Sequence, residues 1–190
     1  MVYFIGLAGG SGAGKSIFAR KITKGLNARI IHIDSFYLPG HPKANYDDPK
    51  TIDWQLLKKS LKDLLAGKAT YVPIYSCKTH KRSKYTERIL PAKILVLEGI
   101  FALHDKEINK LMNLKLFLDF PEDIRAAYRI MRDVTERRFN PYGAVEYYVK
   151  HARAMYPKFI APTKKYANVI VTWENRETAE KKLYEPLKKL

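Results

Sequence analysis

The sequence predicts an α/β protein built on a central parallel sheet. Short apolar runs of strand length alternate along the chain with segments of helical period. A glycine-rich stretch, Gly9–Ser16, joins the first such run to the first helical segment, and three later runs end at or just before Asp34, Glu98 and Asp119. Strands that alternate with helices pair in parallel through right-handed crossovers, and such sheets bind ligands beyond the carboxyl ends of their strands.

The elements follow in order. Val2–Ala8 is a continuous apolar run ending in glycines and reads as a buried strand. Lys15–Leu26 carries Ile17, Phe18, Ile22 and Leu26 at helical spacing. Arg29–Ile33 is a second short strand, followed by a loop through Pro39 and Gly40. Asp53 suits the N-cap of a helix bearing Trp54, Leu56, Leu57, Leu61, Leu64 and Leu65, stopped near Gly67. Thr70–Tyr75 and Thr86–Leu90 read as strands flanking a basic, polar tip from Ser76 to Lys84. Ile94–Leu97 and Leu114–Asp119 are further buried strands. Helices are expected from Glu122 to about Arg137 and from about Tyr142 to Tyr156, then a last strand, Val169–Thr172, and a last helix, Glu177–Leu190.

The chain has 190 residues, enough for one core, and no linker, internal repeat or low-complexity tract divides it. One domain over residues 1–190 is expected. The lone Cys77 has no partner for an intramolecular disulfide. Met1–Ala8 lacks a basic leader and runs into glycines, so it reads as a strand, not a signal peptide. No apolar stretch approaches the roughly 20 residues that a membrane span needs. These features predict a cytoplasmic protein. Lysine and arginine number 35 against 19 acids, a net charge of +16. That surplus favours polyanionic partners such as nucleotides or nucleic acid, or it is a solvated lysine surface with no specific ligand.

Gly9-Gly10-Ser11-Gly12-Ala13-Gly14-Lys15-Ser16 fits the pattern G-x-x-x-x-G-K-[ST] between a strand and a helix. Glycines let the backbone curl so that N–H groups point at phosphates, and the helix N-terminus adds a favourable dipole. Lys15 can neutralise the β and γ phosphates, and the Ser16 hydroxyl can ligate Mg²⁺. This predicts nucleoside triphosphate binding. Lys93–Glu98 is a hydrophobic strand ending in a carboxylate, the Walker B pattern, and Glu98 can hold Mg²⁺ directly or through water. Asp34 stands beside the phosphate loop in this architecture and can accept the proton of an attacking hydroxyl. A helix or turn cap is the competing role for each acid. His32, inside a strand, is expected to be structural.

These residues resemble the uridine kinases, a group of P-loop kinases that also includes phosphoribulokinase and bacterial pantothenate kinase. The likeness runs from about Phe4 to Val171. It is carried by the phosphate loop, Asp34-Ser35-Phe36-Tyr37, Asn45-Tyr46-Asp47-Asp48-Pro49, Val72-Pro73-Ile74-Tyr75, His80-Lys81-Arg82, Leu97-Glu98-Gly99-Ile100-Phe101-Ala102-Leu103, Arg132-Asp133-Val134-Thr135-Glu136-Arg137 and Pro162-Thr163-Lys164-Lys165-Tyr166-Ala167. The resemblance implies a three-layer P-loop kinase fold with a small β-hairpin substrate lobe at about 70–90 and a helical lid at about 122–140.

It also implies transfer of the γ-phosphoryl group of ATP or GTP to the 5′-hydroxyl of uridine or cytidine, with Mg²⁺, in pyrimidine salvage. By position, Asp34 matches the catalytic base, assisted by Lys15 and Arg132. Ser16 and Glu98 match magnesium ligands, with Asp34 a third candidate. Asp47 matches a ribose-hydroxyl contact, and Tyr37, Tyr46, Tyr75 and His80 fall in the nucleoside pocket. Arg129 and Arg132 match lid arginines that reach the phosphates and the reacting end of the substrate. Packing in the core or at a rim is the competing role of the tyrosines, and a solvated basic face that of the arginines. The family often forms tetramers, which leaves a homo-oligomer open.

Two motifs depart from the family. Around the base pocket, P-x-Y-D-F-x-x-H-x-R becomes Pro73-Ile74-Tyr75-Ser76-Cys77-Lys78-Thr79-His80-Lys81-Arg82, so Ser76 and Cys77 replace an aspartate and a phenylalanine. In the lid, E-R-G-R becomes Glu136-Arg137-Arg138-Phe139. An aromatic wall and an arginine are lost together. Two alternatives therefore stand beside the nucleoside kinase: a kinase of another small alcohol, and a basic nucleotide-binding protein associated with RNA. Against the last, no nucleic-acid motif is present.

Overall fold

The computed structural model describes residues 1–40 and 44–190. The strands are β1 (Tyr3–Gly9), β2 (Ala28–His32), β3 (Thr70–Ser76), β4 (Lys81–Ile89), β5 (Ile94–Glu98), β6 (Leu114–Asp119) and β7 (Val169–Thr172). The α-helices are α1 (Lys15–Ile22), α2 (Trp54–Leu65), α3 (Lys106–Leu111), α4 (Glu122–Thr135), α5 (Pro141–Tyr147), α6 (Arg153–Met155) and α7 (Arg176–Lys188). Five strands form one sheet in the order β2-β5-β1-β6-β7, and β3 and β4 form a separate antiparallel ribbon. Every pairing in the larger sheet is parallel, as expected.

Strand parity sorts the core into two layers. Phe4 and Ala8 of β1, Leu95 and Leu97 of β5 and Phe117 of β6 pack on one face, with Leu57, Leu61 and Leu64 of α2 and Ile108 of α3. Ile5 and Leu7, Ile94 and Val96, and Leu116 and Leu118 point to the other, against Phe18 and Ile22 of α1 and Leu187 of α7. Successive side chains of a strand point to opposite faces, so runs buried on both sides are continuously apolar. Burying each of the α2 leucines contributes about 1.5–3 kcal/mol. Gly6 lies where Met112 and Leu103 already fill the space that a Cβ would need.

The register fixes the site. Leu7 and His32 both align with Glu98, so the carboxyl ends of β1, β2 and β5 finish level with one another. β2 ends at His32, and Asp34 sits in the one-turn 3₁₀ helix Ile33–Phe36 rather than at the strand end.

Other boundaries differ from expectation for local reasons. β4 begins at Lys81, inside the expected polar tip, because an exposed two-stranded ribbon needs only backbone pairing and shows no apolar alternation. The expected helix Tyr142–Tyr156 divides: α5 stops at Tyr147, and π-helical turns at Tyr148–Ala152 and Tyr156–Ile160 flank α6. Pro157, in the second, lacks the N–H that an α-helical turn would use. Helix α3 was not expected, since six residues are too few to show a period.

The α3 cap is the signal that was there to read. Asp105 accepts from the N–H groups of Glu107 and Ile108 at 2.9 and 3.0 Å, and Lys58 sits 2.9 Å from its other oxygen. Asp105→Ala is expected to lower stability by about 1 kcal/mol, read as a shift of the urea midpoint. Burial raises this carboxyl, but the Lys58 and N–H contacts outweigh it and hold the group below its ordinary 3.8. Its contribution is therefore complete above that value and lost as pH falls through the lower folded one. The gap between wild type and variant should close in strong acid, and a gap unchanged there would count against an ionic cap. No helix among the described residues is long and apolar enough to cross a membrane.

Candidate active site

A cleft of about 1200 Å³ opens at the carboxyl ends of β1, β2 and β5. The phosphate loop forms its floor. Gly12 and Gly14 hold positive φ of 85° and 73°, and Gly14 ends the loop as the residue preceding α1. A Cβ on Gly12 would run into the carbonyl oxygen of Arg125, and one on Gly10 into its guanidinium. The start of α4 thus packs directly on the loop, which only glycine permits. Lys15 is buried and donates from Nζ to the Gly10 carbonyl at 2.9 Å. Burial lowers it to about 8, against the pull of Glu98 and Asp34.

Glu98 closes one wall. It is 6% exposed and accepts from Ser16 Oγ at 2.7 Å and from His32 Nδ1 at 2.5 Å, both on Oε1. Burial alone would raise this carboxyl. The His32 bond, the Lys15 charge and the Ser16 bond outweigh it and keep Glu98 below the ordinary carboxylate range. The bond to Glu98 in turn raises His32. His32 is therefore a member of the site and not only a structural strand residue as expected: at the end of β2, its side chain faces the cleft.

Ser16 and Glu98 fit Mg²⁺. They are hard oxygen donors, one of them an ionised carboxylate, at the edge of a phosphate cradle. Mg²⁺ characteristically takes one or two carboxylates and completes its shell with water and phosphate oxygens. Among the described residues no group of three acidic, histidine or cysteine side chains is clustered as for an all-protein cage, which suits that mode. Asp34, half-buried, lines the same cleft beyond Lys15.

The far end of the cleft is aromatic. Tyr37 meets Tyr46 edge to face with centroids 5.2 Å apart and Tyr75 at 5.4 Å, while the His80 ring stacks on Tyr46 at 4.6 Å. The ribbon is tied here by Arg82, whose guanidinium donates to the carbonyls of Tyr37 and Phe36 and pairs with Asp53 at 3.2 Å. Ser76, at the aspartate position of the family motif, accepts from the Thr79 N–H at 3.2 Å through its hydroxyl. A serine closes this turn much as an aspartate does. The turn places His80 at φ 55°.

Asp47 is 2% exposed and is met by Arg129 from α4 at 2.9 and 3.3 Å. Arg129 also pairs with Asp133 at 3.3 Å, so its guanidinium is spent on two buried carboxylates and not on the phosphate loop. Arg132 and Arg137 bind the same Asp133 at 3.0 and 3.2 Å. One buried acid thus gathers three arginines over the cleft. Asp133 was missed as a functional candidate, although Arg129, four residues before it on the same helix, stands at a spacing that brings the two side chains together. Tyr147 was missed too. Its hydroxyl accepts from the Tyr46 N–H at 2.9 Å, a contact across 101 residues that no local pattern shows.

At the opposite end, Trp173, Arg176 and Tyr128 line the cleft, with the Arg176 guanidinium 3.9 Å over the Trp173 ring. Ser11, Gly12, Ala13, Gly14, Lys15 and Ser16 thus share one cavity with Asp34, Glu98, Tyr37, Tyr46, Asp47, Tyr75, His80, Arg129 and Arg132, while Gly9 and Gly10 of the loop lie outside its lining.

A model of the Phosphoribulokinase / Uridine kinase family matches residues 4–179. The chain is 37% identical over 179 residues to a uridine kinase of Deinococcus deserti, covering 89% of this chain and 86% of that protein. It is 40% identical over 177 residues to a uridine kinase of Ligilactobacillus salivarius, covering 88% and 83% respectively. Among solved structures, phosphoribulokinase from Rhodobacter spheroides superposes with a TM-score of 0.65 over 90% of this chain and 70% of that one, at 13% identity, a likeness of fold alone. With its phosphate loop, its acidic strand ends and this match along nearly its whole length, the chain belongs to the phosphoribulokinase/uridine kinase family.

Proposed function

We propose that this protein transfers the γ-phosphoryl group of ATP to the 5′-hydroxyl of uridine, and of cytidine, as a pyrimidine salvage enzyme. The observation that carries the reading is the cleft itself, which the phosphate loop, Asp34, Glu98, the aromatic side chains and the buried Asp47 line together. The phosphate loop and Lys15 hold the donor phosphates. Ser16 and Glu98, with Asp34 near them, hold Mg²⁺, which when bound neutralises charge on the transferring phosphoryl group. Tyr37, Tyr46, Tyr75 and His80 frame the nucleobase, and Asp47 accepts from the ribose diol.

Asp34 accepts the proton of the 5′-hydroxyl as that oxygen attacks phosphorus in line and the bond to the β-phosphate oxygen breaks. Arg132 answers the charge that develops on the transferring group. Helix α4 acts as the lid and the β3–β4 ribbon as the substrate lobe of a single kinase domain. Arg129 is a positioning residue, holding Asp47 and Asp133 in their buried places. GTP is an alternative donor.

Cys77, in the place of a ring, favours a second reading with a broader acceptor range. One experiment separates them: ADP release with Mg-ATP against uridine, cytidine, their deoxy analogues, adenosine, pantothenate and ribulose 5-phosphate. Turnover with uridine and cytidine is expected. Silence on both, with ATP still bound, would overturn the proposal.

A further inference from the structure

Two departures from the family motif, far apart in the chain, line one cavity. Cys77 stands in the turn of the ribbon where a ring is expected, and Phe139 follows α4 where an arginine is expected. The Phe139 ring lies 6.3 Å from the His80 ring with the planes 24° apart, and His80 in turn stacks on Tyr46.

Phe139 is held there from both sides. Its N–H donates to the Asp133 carbonyl at 3.0 Å, six residues back across the turn that ends the helix, and it stands just past a left-handed position. That position is Arg138, at φ 60°. A non-glycine residue there is strained, so the turn is kept although the family glycine is gone. On the other side, Asn140 caps α5 through the N–H groups of Tyr142 and Gly143. A half-buried phenylalanine between a turn and a cap, lining a cavity, has its backbone position set before any ligand arrives.

We propose that Phe139 supplies the aromatic wall missing at Cys77, so that the acceptor's base packs against a ring just beyond α4 instead of one carried by the ribbon. The inference rests on the nucleoside kinase reading and adds a specificity-determining residue to it.

The test is steady-state kinetics with uridine and ATP on wild type, Phe139→Ala, Phe139→Tyr and Phe139→Ala combined with Cys77→Phe. Loss of a stacked ring should raise the KM for uridine about 5-fold to 150-fold in Phe139→Ala. The KM for ATP should stay within about two-fold, which also shows that the variant is folded. Phe139→Tyr keeps the ring face and should behave nearly as wild type. Cys77→Phe in the Ala background should recover a large part of the loss. An unchanged uridine KM in Phe139→Ala, or an equal rise for ATP, overturns the wall while leaving the kinase reading intact. Failure of Cys77→Phe to rescue overturns the exchange between the two positions. If wild type turns over no pyrimidine nucleoside, the functional reading falls and the wall with it.

Discussion

Asp34→Asn is expected to lower turnover of uridine by about 10²-fold or more, with ATP affinity largely kept. The change removes the proton acceptor and little else. Asp34 sits on the 3₁₀ turn after β2, where backbone bonds and the buried Ile33 and Phe36 hold the chain, so an isosteric amide leaves the cleft in place. The phosphate cradle is backbone and Lys15, and neither depends on that oxygen for position. Lys15 does feel the charge of Asp34, so a modest change in nucleotide affinity accompanies the loss. Single-turnover rates and equilibrium ATP binding, measured side by side, check the prediction. Undiminished turnover would remove Asp34 as the base. RNA binding unaffected by the change and falling steeply with salt would point instead to the nucleic-acid alternative.

Arg129→Met should produce the largest loss of stability available from the site. Arg129 is 6% exposed and ties Asp47, 2% exposed, to Asp133, 3% exposed. Breaking a buried pair by removing one partner costs about 3–5 kcal/mol, because the charge left behind has no solvent. In a protein of this size that corresponds to a fall of roughly 6–20 °C in the thermal midpoint. Asp133 keeps Arg132 and Arg137, so the orphan is Asp47. The comparison is Lys21→Ala, which breaks the exposed Lys21–Glu180 contact at 2.9 Å and should cost less than about 1 kcal/mol. Thermal unfolding followed by circular dichroism distinguishes the two. A loss in Arg129→Met no greater than that in Lys21→Ala would mean that Asp47 finds another partner.

The two results separate roles that lie in one cleft. Asp34 is expected to matter for rate and little for stability. Arg129 is expected to matter for stability first, and for catalysis through the placement of Asp47 and α4.

Much of this was legible along the chain. The phosphate loop, the acid that ends β5 and the alternation of strands and helices are local patterns, since backbone curvature, strand burial and helix capping depend on neighbours within a few residues. Asp53 and the leucines of α2 could be placed for the same reason. The pairings that give the site its character could not. His32 reads as a strand residue until the register sets it level with Glu98. Asp133 reads as one charge on a basic helix until α4 packs on the phosphate loop and turns that face inward. The Tyr147 contact with Tyr46 and the meeting of Phe139 with His80 join segments dozens of residues apart. Packing decides which of many side chains share a cavity, and burial then decides which charges are held, shifted or left to solvent. The chemistry that a local motif needs is written in its residues. The partners that tune it are chosen by the fold.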